Sequence, residues 1–394
     1  MSNDPQHYLE LLQIRAYEKL GMSIYSIPTF NAIEKKLITE FSGLETIDPL
    51  SSDPVQPRSL GSTGSTENLK KLFTNMHIPK YQEPFSYFIM RTLCDEIETL
   101  LINNNLKRDH FPIIGTIPIG TLNARTIKIP TQRKHLLLFD SGVFSFIFRI
   151  SGIISELVVT DSNSNTNFFA DFHREHILKQ LREKPIILKN LKELFVRYLT
   201  DDTITPEYAP QFKTISLNKS FQHILTQSTE LFLLTHEYSH ILLNHFENGE
   251  NSSESSVREI NYSWTQEYQA DERGLSLILA MLKEKQIPVT TGYAGAELLL
   301  GFSEMLEKAR NIISTGRKTQ PIDLNESNTH PPIFLRRRKL MQETNKRSGK
   351  KDTVDITKSI MDTSDILWKQ LEPFFYRKKD ELNLSNKWLE DILN

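Results

Sequence analysis

The sequence predicts a mainly helical α+β fold with a small β-sheet. Apolar residues recur at helical spacing over most of the chain, and strand-like segments are confined to residues 111–139. Strands and helices never alternate in the βαβ order, which argues against a doubly wound sheet. At 394 residues the chain holds one large or two ordinary domains, with ample material for a buried core.

Residues 6–43 read mainly as helix, with Tyr8, Leu11, Leu12, Ile14 and Tyr17 at helical spacing. Residues 49–66 are dense in Ser, Pro and Gly, a composition that does not readily bury a core and reads as a flexible linker. Helix resumes near Glu67 and again over 85–104. Strands are expected over 111–119, 124–129 and 136–139, with turns at Gly120 and 131–133. Helices follow over 142–157, 173–199 and 218–247. Residues 248–261 read as a polar loop, and Ser263 with Gln266 forms an S-x-x-Q capping box that starts the next helix. Pro288 marks a break, 293–311 is another amphipathic helix, and 344–356 reads as a second polar linker. Helix returns over 356–391, with Ile360, Ile366, Leu367, Trp368 and Leu371 on its apolar face. The division that follows is 1–66, 67–345 and 346–394, with no internal repeat.

Composition narrows the classes. Hydrophobic residues at 38% and charged ones at 24% are ordinary for a soluble globular protein. A formal net charge of −2 provides no global field for nucleic acid, and nucleic-acid binding is not expected. The basic runs 336–339 and 346–351 read as solvated faces or linkers. Cys94 is the single cysteine, so there is no internal disulfide and no thiolate metal site, and a reducing compartment is expected. No signal peptide is visible at the N-terminus. The most apolar stretch, 136–159, is interrupted by Asp140, Arg149 and Glu156, so no transmembrane segment is expected. The expected location is the cytoplasm.

Residues 236–240 read His-Glu-Tyr-Ser-His inside an apolar run. Two histidines four apart on a helix lie about 40° apart in projection, so both imidazoles reach one metal ion. Glu237 stands one step round, near enough to touch a metal-bound water without being a ligand. Zinc lowers the pKa of such a water to about 7, and the neighbouring carboxylate takes its proton. The motif therefore points to zinc-dependent hydrolysis, most directly of peptide bonds.

A third ligand decides how far the motif carries. His245 lies five residues after His240; if the helix continued, it would point away from the metal, as a surface or capping residue. The longer metzincin pattern is absent, since residue 243 is Leu in place of glycine and residue 246 is Phe in place of histidine. Glu267 is the better candidate. It shares a helical face with Asp271, and small Ala270 permits close helix approach. Glu267 completes a His-His-Glu set with an open fourth position, and Asp271 suits the outer shell by accepting a ligand histidine's free ring N–H. His330 precedes Pro331 and Pro332, which hold it in extended backbone; it is a candidate donor to a developing oxyanion, with Arg336, Arg337 and Arg338 just beyond.

HEYSH, then EYQADERGL, then THPP followed by arginines resembles the gluzincin metallopeptidase family of HtpX and the CAAX prenyl proteases. That family shows HExxH, a helix of type E-x-x-A-D, and an H-P element followed by arginine. Upstream, Leu122-Asn-Ala124, the segment from Ile127 to Pro130 and the run from His135 to Val143 are similar to a family N-A element and apolar strand at the sheet edge beside the cleft. The likeness spans residues 115–340. It implies a zincin-like metallopeptidase core with helical flanking segments, one zinc per chain held by His236, His240 and Glu267, and Glu237 as general base. It also implies a protein or peptide substrate. Many members are membrane-embedded and this chain is not expected to be, so their membrane-located substrates do not carry over. The flanking segments are candidates for a regulatory partner's binding or for self-inhibition. Two other classes stand beside the peptidase: a zinc-stabilised interaction or regulatory protein that keeps the fold without hydrolysis, and a helical scaffold whose motifs are accidental. Metal stoichiometry separates the last from the others.

Overall fold

The apolar periodicity translates directly into helices. The computed structural model describes residues 4–21, 79, 81–82, 84–106, 111–118, 120–129, 134–161, 168–200, 216–245, 256–284, 288–317 and 331–385. Helix α1 spans Pro5–Lys19 and α2 Pro84–Asn103. Strands β1 (Ile113–Ile117), β2 (Ala124–Lys128) and β3 (His135–Asp140) follow. Then come α3 (Gly142–Val158) and a short hairpin of β4 (Val159–Asp161) and β5 (Phe168–Ala170). Helices α4 (Arg174–Glu183), α5 (Pro185–Thr200), α6 (Ser216–Leu242) and α7 (Ser256–Glu284) come next. Last are α8 (Val289–Thr315), α9 (Ile333–Ser348) and α10 (Lys351–Lys378). This is an α+β fold, as the patterning predicts, with the zincin-like core and helical flanks that the resemblance implies.

The sheet has the order β1-β3-β2, with β1 parallel and β2 antiparallel to β3. Strand β3 is a continuous apolar run because both its faces are covered. Leu137 and Phe139 join the large helical core, whereas Leu136 and Leu138 pack with Leu9, Leu12 and Ala16 of α1. Gln13 of α1 donates to the Thr116 carbonyl at 2.8 Å, satisfying a polar group inside that contact. The buried face of α1 therefore runs through Leu9, Leu12, Ala16 and Tyr17, and Leu11 is 42% exposed, unlike the expected stripe. Contact with β1 selects among apolar residues that lie on several sides of this helix.

Helix α6 is the centre of the molecule, packed by α3, α7, α8 and β2. Its run of Leu231, Phe232, Leu233 and Leu234 is apolar on all sides because it is buried on all sides. The polar residues within it are satisfied locally: Thr229, Thr235 and Ser239 donate to the carbonyls one turn back at 2.7, 2.7 and 2.6 Å. Two glycines let neighbours approach its backbone. A Cβ on Gly274 of α7 would lie 3.0 Å from the His236 amide nitrogen, and one on Gly295 of α8 would strike the Ser228 carbonyl.

Several boundaries differ from expectation. Helix α7 begins at Ser256, before the predicted capping box, and Gln266 instead donates to the His245 carbonyl at 3.0 Å. The 344–356 segment is helical on both sides of Gly349, whose φ of 62° closes α9 before α10 starts at Lys351. Its polar residues are solvated faces and helix–helix contacts, such as the 2.8 Å bond from Thr357 to Asn345. The first basic run is solvated only in part: Arg338 is exposed, but Arg337, 3% exposed, binds Glu297 at 2.6 Å, Glu304 at 2.6 Å and Asp365 at 3.2 Å, joining α8, α9 and α10. A purely sequential view sees four like charges, whereas the fold brings carboxylates to meet two of them, Arg336 and Arg337. The small β4–β5 hairpin was too short to register in the pattern. The 49–66 linker, the helix near Glu67 and residues 386–391 lie outside the described residues, as does His330. Among the described residues no helix is long and apolar enough to cross a membrane.

Candidate metal centre

Helix α6 supplies His236, Glu237 and His240, and α7 supplies Glu267 and Asp271. These helices meet closely because Ala270 is fully buried between them and Gly274 carries no side chain. The His236 and His240 Nε2 atoms are 3.2 Å apart. Glu267 Oε2 is 3.6 Å from the first, and its Oε1 is 3.5 Å from the second. Ligands about 2.05 Å from a tetrahedral zinc stand about 3.3 Å from one another. The three donors thus form one face of a zinc-sized tetrahedron, and a two-imidazole, one-carboxylate set is of the right chemistry for that ion. Among the described residues this is the one His/Cys/Asp/Glu cluster whose atoms converge in this way.

Asp271 Oδ1 lies 2.9 Å from His236 Nδ1, beside the ring nitrogen that faces away from the cluster, while Nε2 faces the cluster. Arg336 of α9 clamps Asp271 through two bonds of 2.8 and 2.7 Å and also reaches Glu267 Oε2 at 3.0 Å. The Glu237 carboxyl is held from the sheet: Thr126 of β2 donates to its Oε2 at 2.8 Å. Tyr238, facing the other way, donates to Glu98 of α2 at 2.8 Å and so anchors the motif in the core.

The electrostatics follow from burial and these partners. Burial pushes Glu237 above the ordinary carboxyl range, partly offset by His236 and the Thr126 bond. For His236, burial opposes the charge, but the Asp271 bond and the Glu267 charge outweigh it and raise the pKa. His240 is driven down to about 3, by burial first and then by His236, so its imidazole is neutral and able to bind a cation. Asp271 is lowered despite burial, because Arg336 and His236 hold its charge. Burial pushes the Cys94 thiol up to about 12, keeping it out of the chemistry.

The structure therefore brings together His236, His240, Glu267 and Asp271, with Glu237 beside them; it does not describe His330. One expectation is overturned. His245 does not point away: Asn244 adopts φ of 53°, the chain turns back, and His245 Nδ1 lies 2.9 Å from His240 Nδ1. The helix ends one turn sooner than its apolar run suggested, and asparagine is among the few residues that accept this conformation. Thr126, His245 and the reach of Arg336 to Asp271 and Glu267 were missed. An asparagine after an apolar helix was the available signal for the turn; the other contacts join segments far apart in sequence. No family model matches the chain, and neither a curated protein nor a solved structure matches it.

Proposed function

We propose that the chain is a zinc-dependent endopeptidase of the gluzincin type, resembling HtpX and the CAAX prenyl proteases and acting in the cytoplasm. The observation that carries this is the convergence of the His236, His240 and Glu267 donors at 3.2–3.6 Å, next to a Glu237 carboxyl held in place. In this scheme His236, His240 and Glu267 hold one zinc, and Asp271 orients His236 with Arg336 securing both carboxylates. Zinc, when bound, acidifies a water and polarises the scissile carbonyl. Glu237 takes the proton from the water and passes it to the leaving amine. Thr126 occupies Oε2 of Glu237, leaving Oε1 to accept. His330 is our candidate for the oxyanion donor, a contribution of about 3 kcal/mol for such a group.

An extended peptide suits the surroundings. Among the described residues β2 forms an edge of the sheet, its residues are half-buried, and its Thr126 touches Glu237. A peptide laid along that edge would pair backbone to backbone next to the general base. We assign the peptidase domain to 67–345, with 1–66 and 346–394 as flanking segments that bind a regulatory partner or restrain the site. The test is digestion of a denatured-protein peptide mixture by zinc-loaded wild type and Glu237→Gln. Cleavage by wild type alone, with equal zinc in both, supports the scheme; equal cleavage by the variant refutes it.

A further inference from the structure

We propose that His245 is a positioning residue for the zinc ligand His240, doing for that imidazole what Asp271 does for His236. The proposal rests on the zinc centre described above.

The His240 ring has two jobs to reconcile. Its Nε2 faces His236 Nε2 and Glu267 at 3.2 and 3.5 Å, so this nitrogen must offer its lone pair. Its Nδ1 lies 2.9 Å from His245 Nδ1, with ring centroids 5.0 Å apart and planes at 75°. Two ring nitrogens at that distance share one proton between them. With Nε2 committed to a cation, the proton sits on His240 Nδ1, which donates to His245 Nδ1. The bond thereby sets the tautomer of His240 and fixes its ring plane toward the cluster.

The surrounding backbone holds His245 for this purpose. Asn244 in the left-handed conformation folds the chain back, and the His245 amide donates to the His240 carbonyl at 3.1 Å. From the opposite helix, Gln266 donates to the His245 carbonyl at 3.0 Å, next to the ligand Glu267 in sequence. The acceptor is thus tied to both ligand-bearing helices. A carboxylate or a carbonyl fills this place in most histidine metal sites; here a neutral imidazole does.

The test measures zinc affinity by competition with a chromophoric chelator in wild type, His245→Phe and His245→Asn. Phe keeps a ring packed on His240 but offers no acceptor; Asn places an amide oxygen near the position of Nδ1. Phe is expected to weaken zinc binding 10- to 100-fold, the usual cost of losing such a partner, and Asn to recover most of it. Melting curves of the metal-free proteins check folding, and His245→Leu replaces Phe if the larger ring does not fit. Wild-type affinity in the Phe or Leu variant overturns the proposal, as does equal weakening in Asn. Wild type that takes up no zinc removes the metal centre itself, an outcome distinct from either.

Discussion

Arg336→Leu should destabilise the metal-free protein by about 3–5 kcal/mol, the cost of leaving buried charges without their partner. The guanidinium makes bonds of 2.8 and 2.7 Å to Asp271 and a 3.0 Å ion pair with Glu267. Those carboxylates are 2% and 6% exposed, so water does little to replace the lost partner. At about 1.4 kcal/mol per decade, the folding equilibrium falls by roughly a hundredfold to a few thousandfold. Saturating zinc should recover part of this, because a dication beside Glu267 compensates one of the two charges. Arg336→Lys should fall between, since an ammonium keeps the charge but cannot form the two-pronged bond. Urea unfolding in chelator, followed by circular dichroism, measures the change. A loss below about 1 kcal/mol for Arg336→Leu, the level of an exposed ion pair, would show that Arg336 does not neutralise these carboxylates.

Two further outcomes are expected. Asp271→Asn should keep the fold's shape but weaken zinc binding about 10- to 100-fold, measured by chelator competition, because His236 loses its charged orienting partner. Asp140, at the end of β3, is raised to about 7 by burial, against the opposing pull of Arg125 and the Thr121 hydroxyl. The folded chain therefore binds this proton more tightly than the unfolded chain. The associated stability is complete below the ordinary carboxyl pKa and is lost as pH rises to about 7. Asp140→Asn should flatten that part of the stability profile, and an unchanged slope between pH 4 and pH 7 in urea titrations would count against the assignment.

The HEYSH pentapeptide was legible because helical geometry alone places its imidazoles together, and the structure puts their Nε2 atoms 3.2 Å apart. Glu267 and Asp271 were legible for the same reason, as neighbours one turn apart on a second helix. What faced them was not. Thr126 reaches Glu237 across the sheet, and Arg336 reaches Asp271 from a third helix, contacts that depend on how whole elements dock. The arginine run looked like solvated charge because its carboxylate partners, Glu297 and Glu304, lie well upstream on α8. His245 was misjudged by continuing a helix through Asn244, where one left-handed residue reverses the side chain's direction. Local periodicity thus located the elements and the candidate ligands, whereas the groups that contact those ligands emerged only from the tertiary packing.

The proposed function requires that His236, His240 and Glu267 hold zinc. Elemental analysis by plasma mass spectrometry on wild type, His236→Ala and Glu267→Ala, all prepared without a histidine tag, addresses it directly. About one zinc per chain in wild type, lost in both variants, is the predicted result, since the set needs all three donors to close the site. Wild type that carries no zinc and takes none up on addition, or variants that retain it in full, would contradict the account.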